Sequence, residues 1–235
     1  MQALEAYPYP DRLPGPLVFK RALALVEAGR FEDAERLFAG RFFAREEFGT
    51  NVRQVWVEVE LQKALALAQH QECAPARELA EDLGRERPGL PFTKDGLEAF
   101  TQGARMQYLI GQLFETCGDA EAARVHWEKA AAAVDAYPQP NVAFAHRAAK
   151  RLGGGRPDAV RPRVEAALES WANRLAVGTN LPGPNAVGQG LLLRELGREA
   201  EAQAKFREAL LLPDKVMSHY MSRLALAEIG EAQAR

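Results

Sequence analysis

The side chains with most to offer chemically are four histidines, two cysteines and one pair of adjacent glutamates. No two of His70, His126, His146 and His219 stand at i and i+4, the spacing that lets one helix face hold a divalent metal. His126 adjoins Trp127, so a core tryptophan would turn that imidazole outward. Cys73 and Cys117 are far apart and lack CxxC spacing, which predicts two reduced, packed thiols rather than a metal site or a disulfide. Glu46-Glu47 could do acid–base work if one carboxyl were desolvated. Consecutive side chains usually diverge, however, and glutamate near a helix start is favoured by the macrodipole, so a capping role is expected. Gly153-Gly154-Gly155-Arg156 neither follows a strand nor precedes Lys-Ser/Thr, which argues against a phosphate loop. Ser170, Ser218 and Ser222 lack a nucleophile-elbow context. The expectation is a chain with no catalytic residue, no metal and no cofactor, and not an enzyme.

Composition points the same way. The 235 residues are 47% hydrophobic, 8% aromatic and carry a formal net charge of −2. Alanine, leucine, glutamate and arginine, all strong helix formers, dominate. A strongly basic face for nucleic acid is not supported. No apolar run approaches the roughly 18 residues of a membrane span. MQALEAYPYPDRLPGP lacks the basic and apolar regions of a secretory signal. A cytoplasmic chain that engages neither nucleic acid nor membrane is expected.

Helices must therefore position whatever the chain uses. Residues 1–16 hold four prolines and read as an extended lead-in; residues 17–235 read as one helical array. Leu17 to Ala28 and Phe31 to Gly40 form the first pair, turned by Gly29. Arg41 to Thr50, with Phe42, Phe43 and Phe48, is a packed connection. Asn51 to His70 is a long helix: VWVEVE alternates like a strand, but apolar spacing of three and four continues through Leu67. Its partner carries Pro75 in the first turn and ends before Pro88. PGLPFTKDG is a loop; Leu97 to Cys117 and Ala120 to Val134 form the central pair. Tyr137 to Pro140 is a turn and Val142 to Leu152 a shorter helix. Gly153 to Gly155 is the most flexible point. Asp158 caps a helix to about Val177, with Pro162 in its first turn. GTNLPGPN is a rigid turn. Ala186 to Leu196 and Glu199 to Leu212 form the last pair, and Lys215 to Ile229 is a closing helix.

The pairs share a pattern. Gly118, Ala123 and Trp127 recur at the same offsets as Gly29, Ala34, Phe38 and as Gly197, Ala202, Phe206. Together with Gly111 and Ala130, this resembles the tetratricopeptide (TPR) repeat family, whose period is about 34 residues. The likeness covers most of Leu17 to Leu212. It implies an all-α, right-handed superhelix of about five helix hairpins plus a C-terminal capping helix, with a concave groove that holds a peptide or a partner's helix. Intervals of 89 residues from Gly29 to Gly118 and 79 from Gly118 to Gly197 imply insertions. RFFAREEFGTNV, with the long helix and GLPFTKDG after it, is also similar to the helical tail of some bacterial proteins that carry a carbohydrate-related β domain. Arg41, Phe42, Glu46 and Val52 fit that tail, and Glu47, Phe48 and Asn51 depart from it.

In such an array the first helix of each pair lines the concave side. Arg53, Trp56, Glu58 and Leu61 would face it from one helix, and Arg105, Tyr108 and Gln112 from the next. Arginine and tyrosine there could grip a carboxylate or peptide backbone. The leading expectation is a protein–protein interaction scaffold that binds a peptide or protein segment. The alternatives are a saccharide-binding accessory module using Trp56, Tyr108 or Phe92, and self-association as a homodimer.

Overall fold

The computed structural model describes residues 13–44, 46–47, 50–94, 96–133, 140–176, 178 and 180–233. The lead-in through residue 12 and the turn at 137–139 lie outside them. The described chain is all-helical: α1 Gly15–Glu27, α2 Phe31–Arg36, α3 Val52–Gln69, α4 Cys73–Asp82, α5 Glu98–Thr101, α6 Ala104–Thr116, α7 Ala120–Ala132, α8 Pro140–Leu152, α9 Arg156–Ala176, α10 Pro182–Glu195, α11 Glu199–Leu211 and α12 Ser218–Gln233. VWVEVE is helical, within α3. No described helix is long and apolar enough to cross a membrane.

Extended pairing among the described residues is limited to β1 Glu46–Glu47 against β2 Thr50–Asn51, antiparallel. Glu46-Glu47 thus lies in a short strand rather than in the first turn of a helix. The cap of α3 is Asn51, whose Oδ1 accepts from the Arg53 N–H at 3.0 Å. Other boundaries move for local reasons. Leu97 to Cys117 is not one helix: α5 ends at Thr101 and α6 begins at Ala104, with Gly103 against Asn141. Asp158 and Pro162 lie inside α9, which already starts at Arg156. Pro182 opens α10 at a position where its missing donor costs nothing, so much of GTNLPGPN is helix rather than turn.

The chain divides into two compact units, Met1–Thr101 with Gln112–Asp119, and Gln102–Gly111 with Ala120–Arg235. In the first unit α1 packs on α2 and α3, and α3 packs on α4. Residues 112–119 are tied to it by a disulfide between Cys73 and Cys117, with Cα atoms 5.5 Å apart. The Arg77 guanidinium also donates to the Cys117 carbonyl at 2.8 Å. The thiols are therefore not reduced. Their pairing depends on α4 starting where α6 ends, which no spacing motif encodes.

In the second unit α7 packs on α8, α8 on α9, and α10 on α8, α9, α11 and α12. Helix α10 is buried nearly all round, and its glycines are the reason it fits. A Cβ at Gly188 would press on the Trp171 ring, one at Gly190 on the Phe206 ring, and one at Gly183 on the Pro213 carbonyl and Ser218.

One local geometry recurs four times. Gly29, Gly118 and Gly197 adopt φ of +70°, +74° and +76°. Each glycine N–H donates three residues back, to Val26, Glu115 and Arg194, and the next N–H donates five back, to Leu25, Phe114 and Leu193. Gln71 does the same without being glycine, at φ +65°, with bonds to Ala68 and from Glu72 to Leu67. Counted from each of these turns, the residue seven before is small and buried: Ala22, Ala64, Gly111, Gly190. The residue five after is a buried alanine: Ala34, Ala76, Ala123, Ala202. The residue nine after is Phe38, Ala80, Trp127 or Phe206, again buried. At Gly111 a Cβ would collide with the Trp127 indole, so the small residue is what lets the two helices meet.

Candidate functional site

A cavity of about 250 Å³ opens in the first unit. Gly40 turns the chain out of the α2 region at φ +65°, and Arg41, Phe42 and Phe43 form one wall. Val52 and Arg53, the first residues of α3, form the second, and Pro91–Phe92, in a 3₁₀ turn, the third. Among the described residues that line it, none is acidic.

The apolar wall is rigid because it is the edge of an aromatic core. Phe43 packs on Phe19, Phe38 and Phe92 at ring separations of 5.7, 5.6 and 5.8 Å. Trp56 packs edge-on against Phe38 and Phe92 at 5.5 and 6.1 Å. Arg41 donates to the Leu13 carbonyl at 2.6 Å and stacks 5.6 Å from the Phe43 ring. Arg53 donates to the Gly96 carbonyl at 3.1 Å and stacks 5.1 Å from the Phe100 ring. Phe42 turns away from this packing and is 90% exposed.

Of the residues expected at a groove, Trp56, Glu58, Leu61 and Tyr108 are buried and offer no surface. Trp56 belongs to the aromatic core just described. Glu58, 2% exposed, accepts from Gln62. Tyr108 packs on Phe144 at 5.8 Å in the second unit. The helix face chosen from spacing is therefore a packing face. Burial of Trp56 and Tyr108 also removes two of the three rings offered for saccharide, leaving half-buried Phe92. Arg53, Arg105 and Gln112 are half-buried, and of these the cavity takes only Arg53. Arg41 and Phe42 entered the sequence reading as fits to the carbohydrate-associated tail and as part of a packed connection, and the exposure of Phe42 corrects the second for that ring. The signal for the cavity was RFFAREEFGT itself, an aromatic connection flanked by arginines.

The titratable groups elsewhere have structural partners. His126 does not point outward: its Nδ1–H donates to Gln107 Oε1 at 2.9 Å, and burial together with Lys129 lowers its pKa to about 4. In the second unit, buried Glu195 accepts from His146 Nδ1 at 2.9 Å, Arg147 Nε at 2.5 Å and Lys150 Nζ at 3.0 Å. Burial alone would raise its pKa. The His146 hydrogen bond and the neighbouring charges of Arg147 and Lys150 outweigh it and bring the value down to about 2. In the first unit, burial and the facing Glu35 push Glu60 up to about 7, against the pull of Arg87 and Lys63.

Ser218, His219 and Asp214 lie together but form no triad. The Ser218 hydroxyl donates to Asp214 rather than to an imidazole, and His219 Nε2 is engaged by the Leu212 carbonyl at 2.7 Å. Asp214 also accepts from the His219 N–H at 3.1 Å, which closes the start of α12. Among the described residues no group of three or more His, Cys, Asp or Glu could hold a metal ion. No protein-family pattern, curated protein or solved structure matches the chain.

Proposed function

We propose that this chain is a non-enzymatic interaction scaffold: a TPR-like superhelix of helix hairpins, closed by α12, that binds a peptide or protein segment. The four equivalent turns, each with a small residue seven before it and a buried alanine five after, support the repeat reading. The observation that carries the binding reading is Phe42, a large apolar side chain 90% exposed at the rim of a rigid cavity lined by two arginines. Isolated exposed apolar residues are common, but one beside a concave aromatic wall is the arrangement that partner segments use as an anchor. The binding site on this reading is the cavity in the first unit. The Cys73–Cys117 disulfide favours an oxidising compartment over the cytoplasm that the sequence suggested.

Affinity capture with the immobilised chain tests this. Wild type should retain a small set of proteins that the double variant Phe42→Ala, Arg53→Gln loses. An identical set on both would contradict the reading.

A further inference from the structure

We propose that the Cys73–Cys117 bridge is a thiol–disulfide exchange site: a dithiol opens it by attack on Cys117, Cys73 leaves as the thiolate, and the opened chain keeps its fold and closes the bridge again.

The bridge joins two equivalent turns of the repeat. Cys73 stands two residues after Gln71, and Cys117 one residue before Gly118, the left-handed residues of those turns. Each turn is closed by its own backbone. The Gln71 and Glu72 N–H groups donate to Ala68 and Leu67, and the Gly118 and Asp119 N–H groups to Glu115 and Phe114. The turns at Gly29 and Gly197 close in the same way, with Phe31 and Glu199 where Cys73 stands and Ala28 and Leu196 where Cys117 stands. The turn therefore needs no cysteine. The Arg77 guanidinium adds a further tie, to the Cys117 carbonyl at 2.8 Å. These bonds survive rupture of the Sγ–Sγ bond, so the two cysteines stay close enough to pair again. Both are half-buried, and their chain neighbours Glu72, Ala74, Thr116 and Gly118 are exposed, which leaves the bridge open to a thiol from solution.

The two sulfurs differ as leaving groups. Cys73 is the first residue of α4, and the Glu72 side chain before it makes no capping bond. Negative charge on Cys73 is therefore met by the N-terminal end of that helix. Arg77 stands one turn further along the same face, and its Nε is buried without an acceptor among the described residues. Exposed Glu72 opposes this charge, but through water, where it is screened. Cys117 directly follows the last residue of α6, beside the carbonyls of its final turn, where negative charge is disfavoured. The better stabilised thiolate leaves faster, so attack falls on Cys117.

The reductant's thiolate bonds to Cys117 Sγ as the Sγ–Sγ bond breaks, and the electron pair of that bond goes to Cys73. The reductant's second thiolate then displaces Cys117 and forms the reductant's own disulfide. Two electrons and two protons pass from the dithiol to the cysteine pair.

Reduced glutathione, quenched with iodoacetamide, reports which sulfur is attacked in the full oxidised chain without denaturant. Peptide mass spectrometry should find glutathione on Cys117 and carbamidomethyl on Cys73, in roughly fivefold excess over the reverse pattern. Arg77→Lys should keep that excess and Arg77→Gln should level it, whereas loss of a merely structural arginine would raise both adducts together and leave their ratio unchanged. Dithiothreitol should open the bridge at a rate proportional to its concentration with the far-ultraviolet circular dichroism retained, and oxidised glutathione should close it again. Equal labelling of the two cysteines, glutathione mainly on Cys73, an unchanged ratio in Arg77→Gln, opening only in denaturant, or failure to reclose would each overturn the assignment.

Discussion

Glu60 in the first unit and Glu195 in the second are the same residue on helices of similar length, with side chains 6% and 4% exposed. Burial disfavours both charges. Their pKa values nevertheless move in opposite directions, to about 7 and about 2. Glu195 is met by His146, Arg147 and Lys150 from α8, and Arg147 and Arg194 also reach Glu228 of α12 at 3.6 and 2.5 Å. Glu60 has Arg87 at 3.2 Å, but it faces Glu35, and its Oε1 has no donor. Burial thus sets only the stakes, and the neighbours decide the sign. The difference also divides the labour within the chain. The second unit spends its buried charges on one another and locks α8, α10 and α12. The first unit keeps an undercompensated carboxylate, a disulfide and the cavity with two arginines.

The largest break in this comparison should come from Glu195→Ala. It strands Arg147, whose Nη2 already lacks an acceptor, and should cost about 3–5 kcal/mol in urea unfolding. The matching Glu60→Gln should be neutral or stabilising at pH 8, since it removes a charge the fold resists. A comparable loss for both would mean that the two sites are alike.

Reducing Cys73–Cys117, or the variant Cys117→Ser, should lower stability by about 3–4 kcal/mol, because the bridge closes a loop with a sequence separation of 44. That loss should fall on the first unit, seen as faster amide exchange in α4 before α10.

Gly190→Ala comes next. Its Cβ would drive into the Phe206 ring, for a net loss of about 1–3 kcal/mol despite alanine's better helix propensity. The same change at Gly230, where a Cβ meets nothing, should be stabilising or neutral.

The pH profile gives smaller, graded effects of opposite sign. Glu60 is raised when folded, so its favourable contribution is complete below the unfolded value near 4.5 and is lost as pH rises toward 7. Glu195 is lowered, so its contribution is complete above 4.5 and is lost as pH falls toward 2. His126 is also lowered, so its contribution is present above 6.5 and is lost as pH falls through 4. Glu60→Gln should therefore flatten the decline between pH 4.5 and 7, and leave the acid limb untouched.

Much of the helical order was legible because helices advertise themselves locally. Gly29, Gly118 and Gly197 marked three turns, and alanine and aromatic offsets marked the crossings after them. The fourth equivalent turn was hidden because Gln71 takes the left-handed position of glycine and Ala80 takes the place of the aromatic. The break between Thr101 and Ala104 was hidden too: Gly103 there packs against Asn141, far along the chain. The site was less legible. Three-residue spacing cannot say which face of α3 is packed, and both faces are: Trp56, Glu58 and Leu61 are buried alike. The partnership of Arg147 with Glu195 joins residues 48 apart, and Cys73 with Cys117 44 apart, so only the packed chain reveals either.

The division of labour can be read directly from native-state amide exchange of the full chain between pH 5 and pH 8, corrected for the intrinsic rate. Faster exchange in α3 around Glu60 as pH rises toward 7, with the amides around His146, Arg147 and Glu195 unmoved, is the predicted result. Faster exchange centred on α8 and α10 of the second unit would contradict it.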